Sequence, residues 1–145
     1  MSELSVGDIN SGLKDYRSYL EGKMSDFKHE ITEHWETTRF LQDQFKIEIN
    51  ADSEVEFSIP ALEFMCKSSC RIVFLEKLPL AEVRFTSDIE DEPLTIETYY
   101  FDIHGMMHVG TPGSSHPVNF EFENISQVVF SSIVKAASIQ KLISL

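Results

Sequence analysis

The sequence predicts an α+β protein, an antiparallel sheet of about five to seven strands flanked by a long N-terminal helix and a C-terminal helix. Three observations carry this. Apolar residues recur at steps of three or four from Ile9 to Trp35, and helical spacing returns from residue 125 onward. Between those segments they alternate with polar residues in short runs separated by turn-forming residues. At 145 residues the chain has the length of a single domain with a core of ordinary size, which divides into a helical part (1–44), a mainly sheet part (45–124) and a final helix (125–145).

In the first helix Ile9, Leu13, Tyr16, Leu20, Met24, Phe27, Ile31 and Trp35 share one stripe, while Lys14, Asp15, Arg17, Glu21, Lys28 and Glu33 populate the other faces. Asp8 or Asn10 is placed to cap its start. Unbroken to Gln44, such a helix is about 54 Å long at ~1.5 Å per residue, against a radius of gyration of roughly 15 Å for a domain of this size. Two readings resolve the overhang. Gly22, which costs about 1 kcal/mol against Ala inside a helix, and Ser25, a suitable N-cap, split it in two. Alternatively the overhang packs on a second copy, giving a homodimer through the N-terminal helix. The apolar steps drift off a strict seven-residue repeat, which speaks against a coiled coil and favours the broken helix.

Phe45, Ile47, Ile49 and Ala51 then alternate with Lys46, Glu48, Asn50 and Asp52, and Val55, Phe57 and Ile59 with Glu54, Glu56 and Ser58. Two half-buried strands joined near residues 50–53 follow, ended by Pro60. Residues 61–69 read as a short helix opened by Pro60, or else as a third strand. Residues 71–76 and 81–86 read as strands meeting at 77–80. Residues 88–93 read as an acidic loop, and residues 94–104, rich in β-branched and aromatic side chains, as the longest strand. Gly105 turns the chain into a return strand over 106–109, and the Gly, Pro and Ser content of 110–117 marks a loop. Val118, Phe120 and Phe122 alternate with polar neighbours in a last strand. From Asn124 or Ser126 helical spacing resumes, and Val129, Ile133 and Ala137 are the residues expected to face the sheet.

Charge narrows the function classes. The net charge is −12, and residues 45–124 hold fifteen acids against five bases. A phosphate backbone is repelled by such a field, so nucleic-acid binding is not expected, whereas a basic protein partner is steered by it. Solubility alone is the competing account of the acidity. No stretch approaches the ~20 apolar residues of a membrane span, the first residues lack a secretory signal, and two cysteines make no disulfide framework. A cytoplasmic location is the expectation.

Several motifs invite chemistry without completing it. His29-Glu-Ile-Thr-Glu-His34 resembles a zinc-protease helix, but its histidines stand five apart, about 140° round the helix, where that motif needs four. Cys66 and Cys70, with His104 and His108, have suitable ligand types in a spacing that matches no common zinc pattern; buried thiols are the reading adopted, with no metal and no cofactor. Residues 110–116 lack the lysine of a phosphate loop and the second glycine of a nucleophile elbow. Asp88, Glu90, Asp91 and Glu92 lack the glycine and spacing of a calcium loop.

In size, acidity and order of helix, sheet and helix, the chain is similar to two groups of small bacterial proteins, secretion chaperones and immunity proteins; the similarity covers no specific residues. The leading expectation is a non-enzymatic protein-binding module, in its sharpest form an immunity or inhibitor protein, with Asp88, Glu90, Asp91 and Glu92 meeting a basic partner. One alternative is a dimeric, chaperone-like subunit. Another is a small enzyme using His104, His108 or His116 with a carboxylate such as Asp102 or Glu97.

Overall fold

The computed structural model describes residues 3–89, 92–113, 117–119 and 124–142. The chain begins with α1 (Val6–Thr37) and a short α2 (Arg39–Gln44). Seven strands follow: β1 (Lys46–Ile49), β2 (Val55–Ile59), β3 (Phe64–Leu75), β4 (Leu78–Ile89), β5 (Glu92–Phe101), β6 (Met106–Val109) and β7 (Val118–Asn119). α3 (Ile125–Ile139) closes the order. Among the described residues the strands form one sheet in the order β1-β2-β3-β4-β5-β6-β7, every neighbouring pair antiparallel. It is a meander, in which strands consecutive in the chain are neighbours in the sheet.

The expected break at Gly22 and Ser25 does not occur. α1 runs through both for 32 residues and ends instead at Thr38, whose backbone is extended. Leu20, Phe27 and Ile31 are fully buried on either side of Gly22, and their burial outweighs the ~1 kcal/mol helix cost of one exposed glycine. Its start also differs from expectation. Ser5 is the N-cap and Asp8 its reciprocal partner: Ser5 Oγ accepts from the Asp8 amide at 3.1 Å, and Asp8 Oδ2 accepts from the Ser5 amide at 2.9 Å. The overhang problem is solved by the sheet. β3 and β4 are 12 residues each, about 40 Å at ~3.3 Å per residue, and α1, ~48 Å long, packs chiefly on β4 and β1. Close to its N-terminus Gly12 abuts the Phe74 ring, which a Cβ there would meet at 2.8 Å.

β3 and β4, not residues 94–104, are the longest strands; β5 is ten residues and ends at Phe101. Residues 61–69 combine the two expectations: one 3-10 turn, Pro60–Leu62, and then β3 from Phe64. Residues 77–80 are no loop, because Leu75 pairs with Leu78 and leaves a two-residue turn at Glu76 and Lys77, with Glu76 at φ 58°. The acidic loop over 88–93 is likewise the end of a hairpin: Asp88 pairs with Pro93 and Ile89 with Glu92. The rest of the last expected strand, residues 120–123, lies outside the described residues.

The core lies between the inner sheet face and the two long helices. Phe27 of α1 sits within 5.3–6.3 Å, centroid to centroid, of Phe85, Tyr99 and Phe101. α3 presents Val129, Ile133 and Ala137, all fully buried, as expected from their spacing. Tyr99 Oη bonds Ser132 Oγ and the Val129 carbonyl, and Ser126 Oγ donates to the Glu30 carbonyl at 3.1 Å, tying α3 to both sheet and α1. No helix among the described residues is long and apolar enough to cross a membrane.

Candidate functional site

β5 leads into the turn that assembles the histidine and carboxylate candidates. Asp102 follows its last residue and closes the turn with its own backbone and side chain. The Asp102 amide donates to the Met106 carbonyl at 3.0 Å, while Asp102 Oδ1 accepts from the amides of His104 at 2.9 Å and Met106 at 3.0 Å. Gly105 completes the reversal at φ 78°, a conformation that costs a side chain little only when there is none. On the return strand His108 pairs across with Tyr100, and its Nε2 donates to Asp102 Oδ2 at 2.9 Å.

Asp102 is therefore a carboxylate with three of about four acceptor positions occupied. Burial raises its pKa, but the His108 bond and the two backbone amides outweigh burial and hold the carboxyl below its usual range. Asp102 and His108 border a cleft of about 280 Å³ on the outer side of the sheet. Leu75, Leu78 and Leu80, from the β3–β4 hairpin, and Ile103 supply apolar wall; His104 and Glu76 add polar lining. None of these leucines was singled out from the sequence. They become neighbours of Asp102 only through strand register, because Leu80 and Val73 pair at the end of the hairpin where Ala81 pairs with Phe101.

The remaining candidates separate. His116 lies outside the described residues, as do Ser114 and Ser115. Glu97 does not border the cleft; it is half-buried, and burial raises its pKa, partly countered by the Thr98 amide. Cys66 and Cys70 stand on the strand β3, not on a helix, and both are free thiols. Burial pushes Cys66 up to about 12, and it raises Cys70 as well. No group of three or more His, Cys, Asp or Glu among the described residues is arranged to hold a metal ion. His29 pairs with Glu33 on the solvent side of α1, and the His34 ring rests against Phe130 at 5.6 Å, so the zinc-protease look-alike divides between surface and packing.

The acidic candidates occupy the opposite end of β5. Asp88 and Glu92 are exposed on the β4–β5 hairpin, and neither makes an ion pair with a described cation; Glu90 and Asp91 lie outside the described residues. Met65, 52 % exposed, flanks this hairpin, with Ser87 Oγ donating to its carbonyl at 2.6 Å, and Leu94 within the hairpin is 36 % exposed. Elsewhere on the outer face the acidity is internally compensated: Glu82, only 4 % exposed, receives Arg71 at 2.8 Å and Arg84 at 3.3 Å. A groove of about 820 Å³ runs between α1 and the β1–β2 hairpin and mixes Glu21, Glu33 and Glu36 with Lys28 and His29. No protein family, curated protein or solved structure matches this chain.

Proposed function

We propose that the protein is a non-enzymatic binding module whose acidic β4–β5 hairpin receives a basic protein partner, in the manner of an immunity or inhibitor protein. The observation that carries this reading is the combination at the hairpin of exposed carboxylates, Asp88 and Glu92, with exposed apolar side chains, Met65 and Leu94. Glu90 and Asp91 stand between the two in sequence and add two further acids. Carboxylates steer an oppositely charged surface into register, and apolar groups among them give it something to bury once it has arrived. The pattern differs from Glu82, whose charge is already met by two arginines and has nothing to offer a partner.

A second reading, a small enzyme built on His108 and Asp102, is favoured by their 2.9 Å bond beside a cleft. Against it, Asp102 is engaged by backbone amides on its other oxygen, the arrangement of a residue that closes a turn.

The test is kinetic. A partner recovered by affinity purification from the native cell is measured for association with the full chain at 0.1 M and 1 M salt, between which the Debye length falls from about 10 Å to about 3 Å. The E90Q/D91N/E92Q variant is expected to lower the on-rate more than it raises the off-rate, leaving stability unchanged. An on-rate indifferent to both salt and substitution rejects the proposal and leaves solubility as the role of the acidity.

A further inference from the structure

We infer that the cleft at the β5–β6 turn is a binding site for a small protonated amine carrying an apolar chain. The site stands at the other end of β5 from the acidic hairpin and rests on different residues. Its walls are Leu75, Leu78, Leu80 and Ile103, and Leu75 and Leu78 are 45 % and 52 % exposed on the two sides of a two-residue turn. Large aliphatic side chains held open to water at a concave surface favour an apolar occupant. The volume of about 280 Å³ lies just below the range of roughly 300–1,000 Å³ typical for drug-sized ligands, so a short chain of about six carbons is a suitable size.

The polar lining selects the head group. Asp102, Glu76, His104 and His108 border the cleft, and among the described residues no lysine or arginine does. Asp102 is held ionised by its bonds, and the three accepted from described residues leave about one lone-pair position, on Oδ2 beside the His108 bond. An anion meets the carboxylates of Asp102 and Glu76 there, and the His108 Nε2 that could have met it is bonded to Asp102. A neutral apolar molecule covers a carboxylate without replacing the water it displaces, which is costly. An ammonium N–H donates to Asp102 Oδ2 and satisfies that position with a charge-assisted bond. Lys23 of α1 approaches the turn from the helix side: its Nζ would lie 3.7 Å from a Cβ on Gly105, and it rests 5.5 Å from the Tyr19 ring centroid.

The test compares three probes of one chain length on the full protein: n-hexylammonium, 1-hexanol and hexanoate, followed through the methyl resonances of Leu75, Leu78 and Leu80 and the ring resonances of His108. Hexylammonium is expected to saturate at these positions and to bind at least about tenfold more tightly than hexanol, the value of one hydrogen bond to a charged group, with hexanoate weaker still. Equal binding of hexanol, absence of saturation, or shifts confined to Asp88 and Glu92 each overturn the inference. D102N is expected to abolish the preference for the ammonium over hexanol. Should D102N fail to fold, L78S, at an exposed position, is expected to weaken hexylammonium several-fold, and an unchanged affinity in L78S overturns the site.

Discussion

The two ends of β5 hold the same kind of residue in opposite conditions. At its start, Glu92 pairs with Ile89 and Pro93 with Asp88, and the carboxylates of Asp88 and Glu92 project into solvent. Past its end, the Asp102 carboxylate accepts from two backbone amides and from His108. The difference shows that acidity at a turn has no single meaning. A solvated carboxylate contributes field and leaves the fold alone; a carboxylate that satisfies backbone amides is part of the fold, and its removal leaves donors without acceptors.

The sharpest way to break this comparison is Asp102→Ala. Loss of three charge-assisted bonds at one turn is expected to destabilise the protein by about 2–3 kcal/mol in denaturant unfolding. The effect has a characteristic pH dependence. Because the carboxyl pKa is depressed in the fold, its stabilisation is complete above the ordinary Asp value of about 3.9 and disappears as pH falls through the lower native value. The gap between native protein and variant therefore narrows in acid below about pH 4, whereas a gap caused by lost packing would not change with pH.

Gly105→Ala comes next in size. At φ 78° a Cβ costs about 1–2 kcal/mol, and it would meet Tyr19 Oη at 3.0 Å, so a fall in stability of that order is expected with no pH dependence of its own. The smallest effect belongs to the other end: Asp88→Asn with Glu92→Gln is expected to alter stability by no more than about 0.5 kcal/mol. A larger loss there would erase the distinction between the two turns.

Local pattern was enough for those parts whose neighbours are close in the chain. Alternation in Ile47, Ile49, Val55, Phe57 and Ile59 locates β1 and β2, whose connection Asn50 stitches by accepting from the Asp52 and Glu54 amides. The spacing of Val129, Ile133 and Ala137 likewise identifies the buried side of α3. The histidine and carboxylate of the cleft are visible as residue types, and Gly105 as the turn between them, since only six positions separate Asp102 from His108. Their bond is a matter of hairpin register, and so is the wall of Leu75, Leu78 and Leu80, which belongs to another hairpin altogether.

The sequence by itself determined the α+β class, the antiparallel sheet between two helices and the apolar stripes of both long helices, because periodicity and turn chemistry act over a few residues. Tertiary structure alone decided that α1 passes unbroken through Gly22 and Ser25, since the rings that bury its Phe27, Phe85 of β4 and Tyr99 and Phe101 of β5, come from strands distant in the chain. It also decided which carboxylates are bonded and which remain open. Asp88 and Asp102 carry the same side chain at turns on opposite ends of β5, and whether backbone amides converge on it depends on how the chain turns around it.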